Sequence, residues 1–200
     1  MSHLYEVALY GEFFAQDLKP ILNRLTLHCE SATRMHSREL VFEPLDAQAQ
    51  RNQGIEPVFL RCKKELTEPG SGWIMFSYLK PESVRQYPDA TVRPWAICQV
   101  AEDALSFASA LGYVRRAQLY KNGYAFRRGH LLIQMFQQEQ VDSRTSKPIP
   151  AHADTLWEVE VKTATPWRPT QETPLSQAIE AVLEVQKFMK GLLDLRRKDV

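Results

Sequence analysis

The sequence is short of net charge, of cysteine and of long apolar runs. Its 25 Lys plus Arg stand against 24 Asp plus Glu, so the formal net charge is only +1 over 200 residues. A nucleic-acid binder of this length usually shows a clear basic excess or stripe. Direct, sequence-specific binding of DNA or RNA is therefore not expected. The three cysteines, Cys29, Cys62 and Cys98, are odd in number and widely spaced, with no CxxC pair. That pattern excludes a disulfide framework and a closed zinc site and fits a reducing compartment. No window reaches about 18 uncharged apolar residues, and the opening MSHLYEVALYGEFF has no basic segment leading into an apolar run. A soluble, intracellular protein, neither secreted nor membrane-bound, is the expectation. The histidines, His3, His28, His36, His130 and His152, are scattered without an HExxH or an i, i+4 pair. There is no GxSxG, GxGxxG or P-loop, and Gly70-Ser71-Gly72 leads into Trp73 rather than into a helix. No catalytic residue, no metal ligand set and no cofactor site is expected.

What is present is enough apolar material, 44% of the chain, for one domain with a proper core. Leu4 to Phe13 reads as a first strand. Asp17 then opens a helix over 17–31, with Leu18, Ile21, Leu22, Leu25 and Cys29 on one face. From Arg38 to Val100 short alternating runs follow, at Leu40 to Phe42, Val58 to Lys64, Trp73 to Leu79 and Thr91 to Val100, separated by turn residues. A second helix, 102–111, carries acidic residues in its first turn and ends at Gly112. Strands resume at Tyr113 to Lys121, Tyr124 to Arg128 and Leu131 to Gln137. The polar, proline-containing stretch 142–154 reads as a surface loop, and Leu156 to Thr163 as a last strand. Thr173 and Pro174 open a final helix, 173–195, whose broad apolar face must bury against the sheet or a partner. Nine strand-like segments with few helices predict a mainly β, α+β fold, an antiparallel multi-stranded barrel closed to remove its edges.

Two local patterns could carry function. In Trp157-Glu158-Val159-Glu160-Val161-Lys162 the period of two sends the charged residues to one face. If that face lined a lumen, Glu158 and Glu160 could hold a hard divalent cation, with Arg115, Lys121, Arg127 or Arg128 on a polyphosphate. The ExExK spelling resembles the strand motif of triphosphate tunnel metalloenzymes. Such tunnels use carboxylates from more than one strand, and the first strand offers only Glu6 and Glu12, separated by Ala8 and Tyr10. The second pattern is Tyr120-Lys121-Asn122-Gly123-Tyr124-Ala125-Phe126-Arg127-Arg128-Gly129. Asn-Gly is the strongest short-range hairpin signal, so a turn at Asn122-Gly123 outweighs a stacking platform for single-stranded nucleic acid. Tyr and Arg are enriched at protein interfaces, which makes Tyr120, Tyr124, Phe126 and Arg128 the candidate partner-binding residues.

The same region carries a family resemblance. A helix ending in Leu111-Gly112-Tyr113, then Lys121, Gly123, Phe126-Arg127 and Gly129, followed by the apolar strand Leu131 to Phe136, resembles the family of Mediator complex subunit 18. Upstream the likeness takes in Tyr5 to Glu12, Leu25 and Cys29, Leu40-Val41-Phe42, Val58 to Arg61, Trp73 and Tyr78, but not Asp46 to Gln53. The resemblance implies a helix-flanked barrel similar to that of RNA triphosphatases. It also implies a non-catalytic scaffold role in the nucleus, in the Mediator head module that couples regulators to RNA polymerase II. The implied partners are Mediator subunit 20, as a heterodimer, and the C-terminal helix of Mediator subunit 8.

Overall fold

The computed structural model describes residues 4–101 and 103–198, so the expected helix start at Glu102, and His3, lie outside the described residues. The strands in chain order are β1 (Tyr5–Phe13), β2 (Ser31–Pro44), β3 (Leu60–Glu65), β4 (Trp73–Tyr78), β5 (Thr91–Val100), β6 (Tyr113–Arg128), β7 (Leu131–Val141), β8 (Pro148–Ile149) and β9 (Trp157–Thr163). The helices are α1 (Leu18–His28), α2 (Ala47–Asn52), α3 (Ala104–Ala110) and α4 (Leu175–Met189).

Eight strands form a closed antiparallel ring in the order β6-β2-β3-β4-β5-β1-β9-β7, which β7 completes by pairing with β6. The expected barrel is the observed fold. Closure gives every central strand two neighbours and leaves no long open edge. Because side chains alternate along each strand, one set faces the lumen and the other faces outward.

The main apolar core lies outside the barrel wall. Val7 and Leu9 of β1, Ile133 and Met135 of β7 and Val159 and Val161 of β9 pack with Ile21 and Leu25 of α1 and Ala178, Val182, Val185 and Met189 of α4. The final helix therefore buries its apolar face on its own barrel. A second cluster joins Leu40, Phe42, Leu60, Cys62 and Met75 to Ala104 and Ala108 of α3. Asp103 caps α3 by accepting a hydrogen bond from the Leu105 amide at 3.0 Å, and Gly112 follows at φ +82.

Several local readings are corrected. The first helix stops at His28, and the strand expected only from Leu40 begins at Ser31 and runs 14 residues. Its first four residues, Ser31–Arg34, are exposed and mostly polar, so no apolar alternation marks its start; pairing with β6 holds it extended. The 46–53 segment contains α2. The 142–154 loop contains the short strand β8, paired to Gln140 and Val141 of β7. The 173–195 helix covers Leu175–Met189, with Pro174 rather than Thr173 in the capping position. It ends before Gly191, whose φ is +86, although Leu192 and Leu193 continue the apolar period.

Asn122-Gly123 is not a turn. β6 runs unbroken through it, with Gly123 opposite Met35 of β2 and Phe136 of β7. A Cβ on Gly123 would lie 2.1 Å from the Met135 carbonyl oxygen, so the glycine is required by close strand approach. The hairpin turns six residues later, where Arg128 pairs with Leu131 around Gly129, φ +52.

Candidate functional site

The lumen is polar, and its chemistry follows from strand parity. On β1 the inward positions are Glu6, Ala8, Tyr10 and Glu12; on β9 they are Glu158, Glu160 and Lys162. Register sets Ala8 against Lys162, Tyr10 against Glu160 and Glu12 against Glu158. The inner face of β3 adds Arg61 and Lys63, and that of β2 adds Ser37 and Glu39.

Glu6 is fully buried and faces Arg93 of β5 in register. One of its oxygens accepts from Arg93 Nε at 2.9 Å and Nη2 at 2.7 Å, and the other accepts from the Tyr78 hydroxyl at 2.9 Å. The guanidinium also donates to the Tyr10 hydroxyl at 3.0 Å and lies 3.4 Å from the Tyr78 ring centroid. Burial disfavours the Arg93 charge, but Glu6 beside it holds the pKa above the ordinary arginine value. Burial pushes the Tyr10 hydroxyl up to about 12 and raises that of Tyr78 as well. Both phenols stay neutral, Tyr78 donating to Glu6 and Tyr10 accepting from Arg93.

The second group centres on Glu160. Lys121 reaches one of its oxygens at 2.8 Å and Lys162 the other at 2.5 Å. Burial alone would raise the Glu160 pKa, yet Lys121 and Lys162 hold it well below the usual carboxylate range. Glu39 is similar: burial opposes its charge, and Lys121 and Arg61 override it, with Arg61 donating at 2.7 Å. Lys162 is disfavoured by burial but raised well above the ordinary amine value by Glu160. Glu158 sits at the rim, half-buried, accepting from Gln138 at 2.7 Å. A cavity of about 770 Å³ opens there, reaching Tyr10, Glu158 and Glu160 from under the C-terminal residues Asp194, Arg196 and Lys198.

These placements decide what the residues can do. Glu160 and Glu6 both face the lumen, so carboxylates do come from two strands, but each is occupied by cations of the chain itself, and Lys162 stands between them. Among the described residues no group of three His, Cys, Asp or Glu side chains could hold a metal ion. Of the basic residues proposed for a polyphosphate, Lys121 is in the lumen, Arg115 and Arg127 are exposed, and Arg128 lies on the outer face, 5.4 Å from the Phe188 ring. Sequence reasoning missed Glu39, Lys63 and Arg93. Each has inward parity on its strand, but parity does not distinguish a lumen from solvent until the ring is known to close.

The four candidate partner-binding residues share the outer face of β6. Phe126 is fully buried beneath the helices and Tyr120 is 5% exposed. The Tyr120 hydroxyl donates to the Ser146 carbonyl at 2.9 Å, so the 142–154 segment covers it. Tyr124 and Arg128 remain partly exposed; Tyr124 stacks on Trp157 and lies under the Arg34 guanidinium at 4.5 Å. An apolar surface stands out elsewhere, where the Leu45 amide bonds the Gly112 carbonyl and brings Leu45, 71% exposed, beside Leu111 and Phe107 of the α3 region, 53% and 45% exposed. No helix among the described residues is long and apolar enough to cross a membrane.

The model of the Med18 protein family matches residues 80–200. The chain belongs to the Med18 family. The matched part runs from the end of β4 through the whole β5 to β9 wall and α4, and so includes the β6–β7 hairpin and the ExExK strand. No curated protein matches the chain by sequence. Among solved structures, a chain of the Schizosaccharomyces pombe Mediator head module is similar over 98% of this chain and 100% of its own, with a TM-score of 0.79 at 15% identity. A Hippeastrum putative adenylyl cyclase described as having a dominant triphosphatase activity aligns over 98% and 91%, with a TM-score of 0.54 at 9% identity. The RNA triphosphatase domain of a mimivirus mRNA capping enzyme aligns over 93% and 89%, with a TM-score of 0.51 at 7% identity. At such identities the likeness is one of fold. Family membership gives this Med18 chain a Mediator-subunit role, on a barrel it shares with triphosphatases.

Proposed function

We propose that this chain is a non-catalytic scaffold of the Mediator head module, acting in the nucleus to help couple regulators to RNA polymerase II transcription. Its partners on this reading are Mediator subunit 20, as a heterodimer, and the C-terminal helix of Mediator subunit 8. The observation that carries the non-catalytic part is the pairing inside the barrel. Glu6 is held by Arg93 and Glu160 by Lys121 and Lys162, so these two lumen carboxylates are neutralised by the chain's own cations. The exposed Leu45, Phe107 and Leu111 support a docking role, because apolar surface gathered in one place on a small domain marks contact sites. Tyr124 and Arg128 are the further contact residues on this reading, since their exposed parts lie on the outer wall of β6.

Co-purification of the chain with Mediator subunit 20 and the C-terminal segment of subunit 8, followed by sizing, tests the proposal. A stable stoichiometric complex supports it. A well-behaved monomer with affinity for neither counts against it. The alternative, a metal-dependent triphosphate tunnel phosphohydrolase, is favoured by one observation, the shared inward direction of Glu6 and Glu160. Manganese-dependent triphosphate hydrolysis that disappears in Glu158→Ala would establish it instead.

A further inference from the structure

β2 has a short stretch without a neighbour on one side. β3 pairs with it from Phe42 only as far as Ser37, opposite Glu65, while β6 stays paired with it as far as Ser31. The last contacts with the β3 side are at His36, whose carbonyl accepts from the Leu66 amide at 2.7 Å and whose amide donates to the Glu65 carboxylate at 2.9 Å. Backbone groups alternate in direction along a strand, so Arg34 and Ala32 turn theirs to the same side as His36. Among the described residues nothing bonds their amides or carbonyls there, and both residues are exposed. Open edges are where further strands add, unless proline, a bulge, charge or a covering loop blocks them. Ser31–Met35 has no proline and pairs regularly with β6, since the one register shift lies at Val41/Phe42. Its one charge, Arg34, lies 4.5 Å from the ring centroid of Tyr124, its partner on β6, and so is drawn away from the open side.

The charge on the outer face says what kind of strand fits. From Arg34 the outward row of β2 continues through His36 to Arg38, with Lys64 of β3 beside Arg38 in register. Arg34, Arg38 and Lys64 have no ion pair among the described residues, and the buried Arg38 Nε has no hydrogen-bond partner. The acids around the row are engaged. Glu139 of β7 accepts from His36 at 2.9 Å and Asn122 at 2.8 Å, and Glu30 accepts from the Gly129 amide at 2.8 Å. Glu65 faces the lumen and accepts from the amides of His36, Leu66 and Thr67. In an antiparallel addition the residue opposite Arg34 shares its outer face and turns its own amide and carbonyl to the edge. An acidic side chain at that position meets an unpaired guanidinium.

We propose that the Ser31–Met35 edge of β2 binds an extended acidic peptide of a partner protein as an added antiparallel strand. Ala32 and Arg34 supply the backbone bonds, and the row of Arg34, Arg38 and Lys64 selects acidic side chains on the outer face. The edge lies at the opposite end of β2 from Leu45, so it is independent of which subunits dock on the apolar surface there.

The test is fluorescence anisotropy of a dye-labelled peptide of alternating glutamate and threonine, titrated with the full chain. The peptide with lysine in place of glutamate is expected not to bind. Methylating the glutamate amides, which face β2, abolishes binding, whereas methylating the threonine amides, which face away, leaves it. Ala32→Pro removes one edge donor without changing the charge or the pairing with β6, and weakens binding about three- to tenfold, the worth of one hydrogen bond. Arg34→Glu turns an exposed attraction into a repulsion and weakens it about tenfold. No binding of the glutamate peptide, equal binding of the lysine peptide, or equal effects of the two methylations overturns the proposal. So does a dimer in sizing that Ala32→Pro dissolves, which assigns the edge to a second copy of the chain. Displacement of the peptide by oligouridine overturns it as well, by assigning the basic row to nucleic acid. The methylated peptides leave the protein unaltered, so the outcome stands whether or not either variant folds.

Discussion

Replacing Gly123 by alanine tests the central correction to the local reading of this chain. Gly123 lies in the middle of β6, between β2 and β7, and its absent Cβ would fall 2.1 Å from the Met135 oxygen, 2.7 Å from the Phe136 Cα and 3.0 Å from the Met135 carbonyl carbon. All three are backbone atoms, so no rotamer change relieves the contact. The strands must part by roughly 1 Å at the seam that closes the barrel, where ladder hydrogen bonds sit near their optimum of about 2.9 Å. Overpacking of this kind costs about 1–3 kcal/mol, and two weakened ladder bonds add about 1 kcal/mol each, giving about 3–5 kcal/mol in all. Gly129, in the true turn at φ +52, has nothing within 4 Å of its Cβ position, so its alanine variant bears only the left-handed backbone cost of about 1–2 kcal/mol. Urea unfolding followed by tryptophan fluorescence gives both values from the midpoints, with slopes confirming that the transition remains two-state. A Gly123→Ala cost at or below that of Gly129→Ala would refute the continuous strand and restore a turn at Asn122-Gly123.

Three further outcomes follow from the lumen and the C-terminal strap. Glu6→Gln leaves Arg93 buried beside a neutral partner and costs about 3–5 kcal/mol, while the double change Glu6→Gln with Arg93→Met recovers more than half of it, measured as a double-mutant cycle. Because Glu39 and Glu160 have folded pKa values below their unfolded ones, the unfolded chain binds more protons across that window. Their stabilisation is complete above the ordinary glutamate value of about 4.3 and is lost as the pH falls toward the depressed values, so the urea midpoint drops below that pH and Glu160→Gln shows a shallower drop. Gly11→Ala would place a Cβ 2.8 Å from the Asp194 carbonyl oxygen and 3.1 Å from the side chains of Leu193 and Leu195. It loosens the segment that bonds Tyr10 through Arg196, and limited proteolysis then cuts within 190–198 earlier than in the parent chain.

The elements legible in the sequence were those whose own residues decide them. The apolar face of α1, the strand β5 and the Gly112 end of α3 each follow from local spacing and breakers, and the structure places them within a few residues of expectation. The first half of β2, by contrast, has a polar, exposed stretch at Ser31–Arg34 that pairs only because β6 lies beside it. The length of α4 was overestimated because Leu192 and Leu193 keep the helical period after Gly191 has turned the chain.

The candidate site divides the same way. Period two in WEVEVK set Glu158, Glu160 and Lys162 on one face, and the ordered motifs around the β6–β7 hairpin carried the family resemblance; both depend only on neighbours along one strand. Closure of eight strands decided that this face is a lumen rather than a solvated surface, and that Glu6 would meet Arg93 across 87 residues of chain. It also decided that Gly123 serves close approach instead of a turn. Sequence spacing fixes which way a side chain points along its own strand, but the dielectric it enters and the charges it meets are set by strands distant in sequence, and those appear only when the barrel closes.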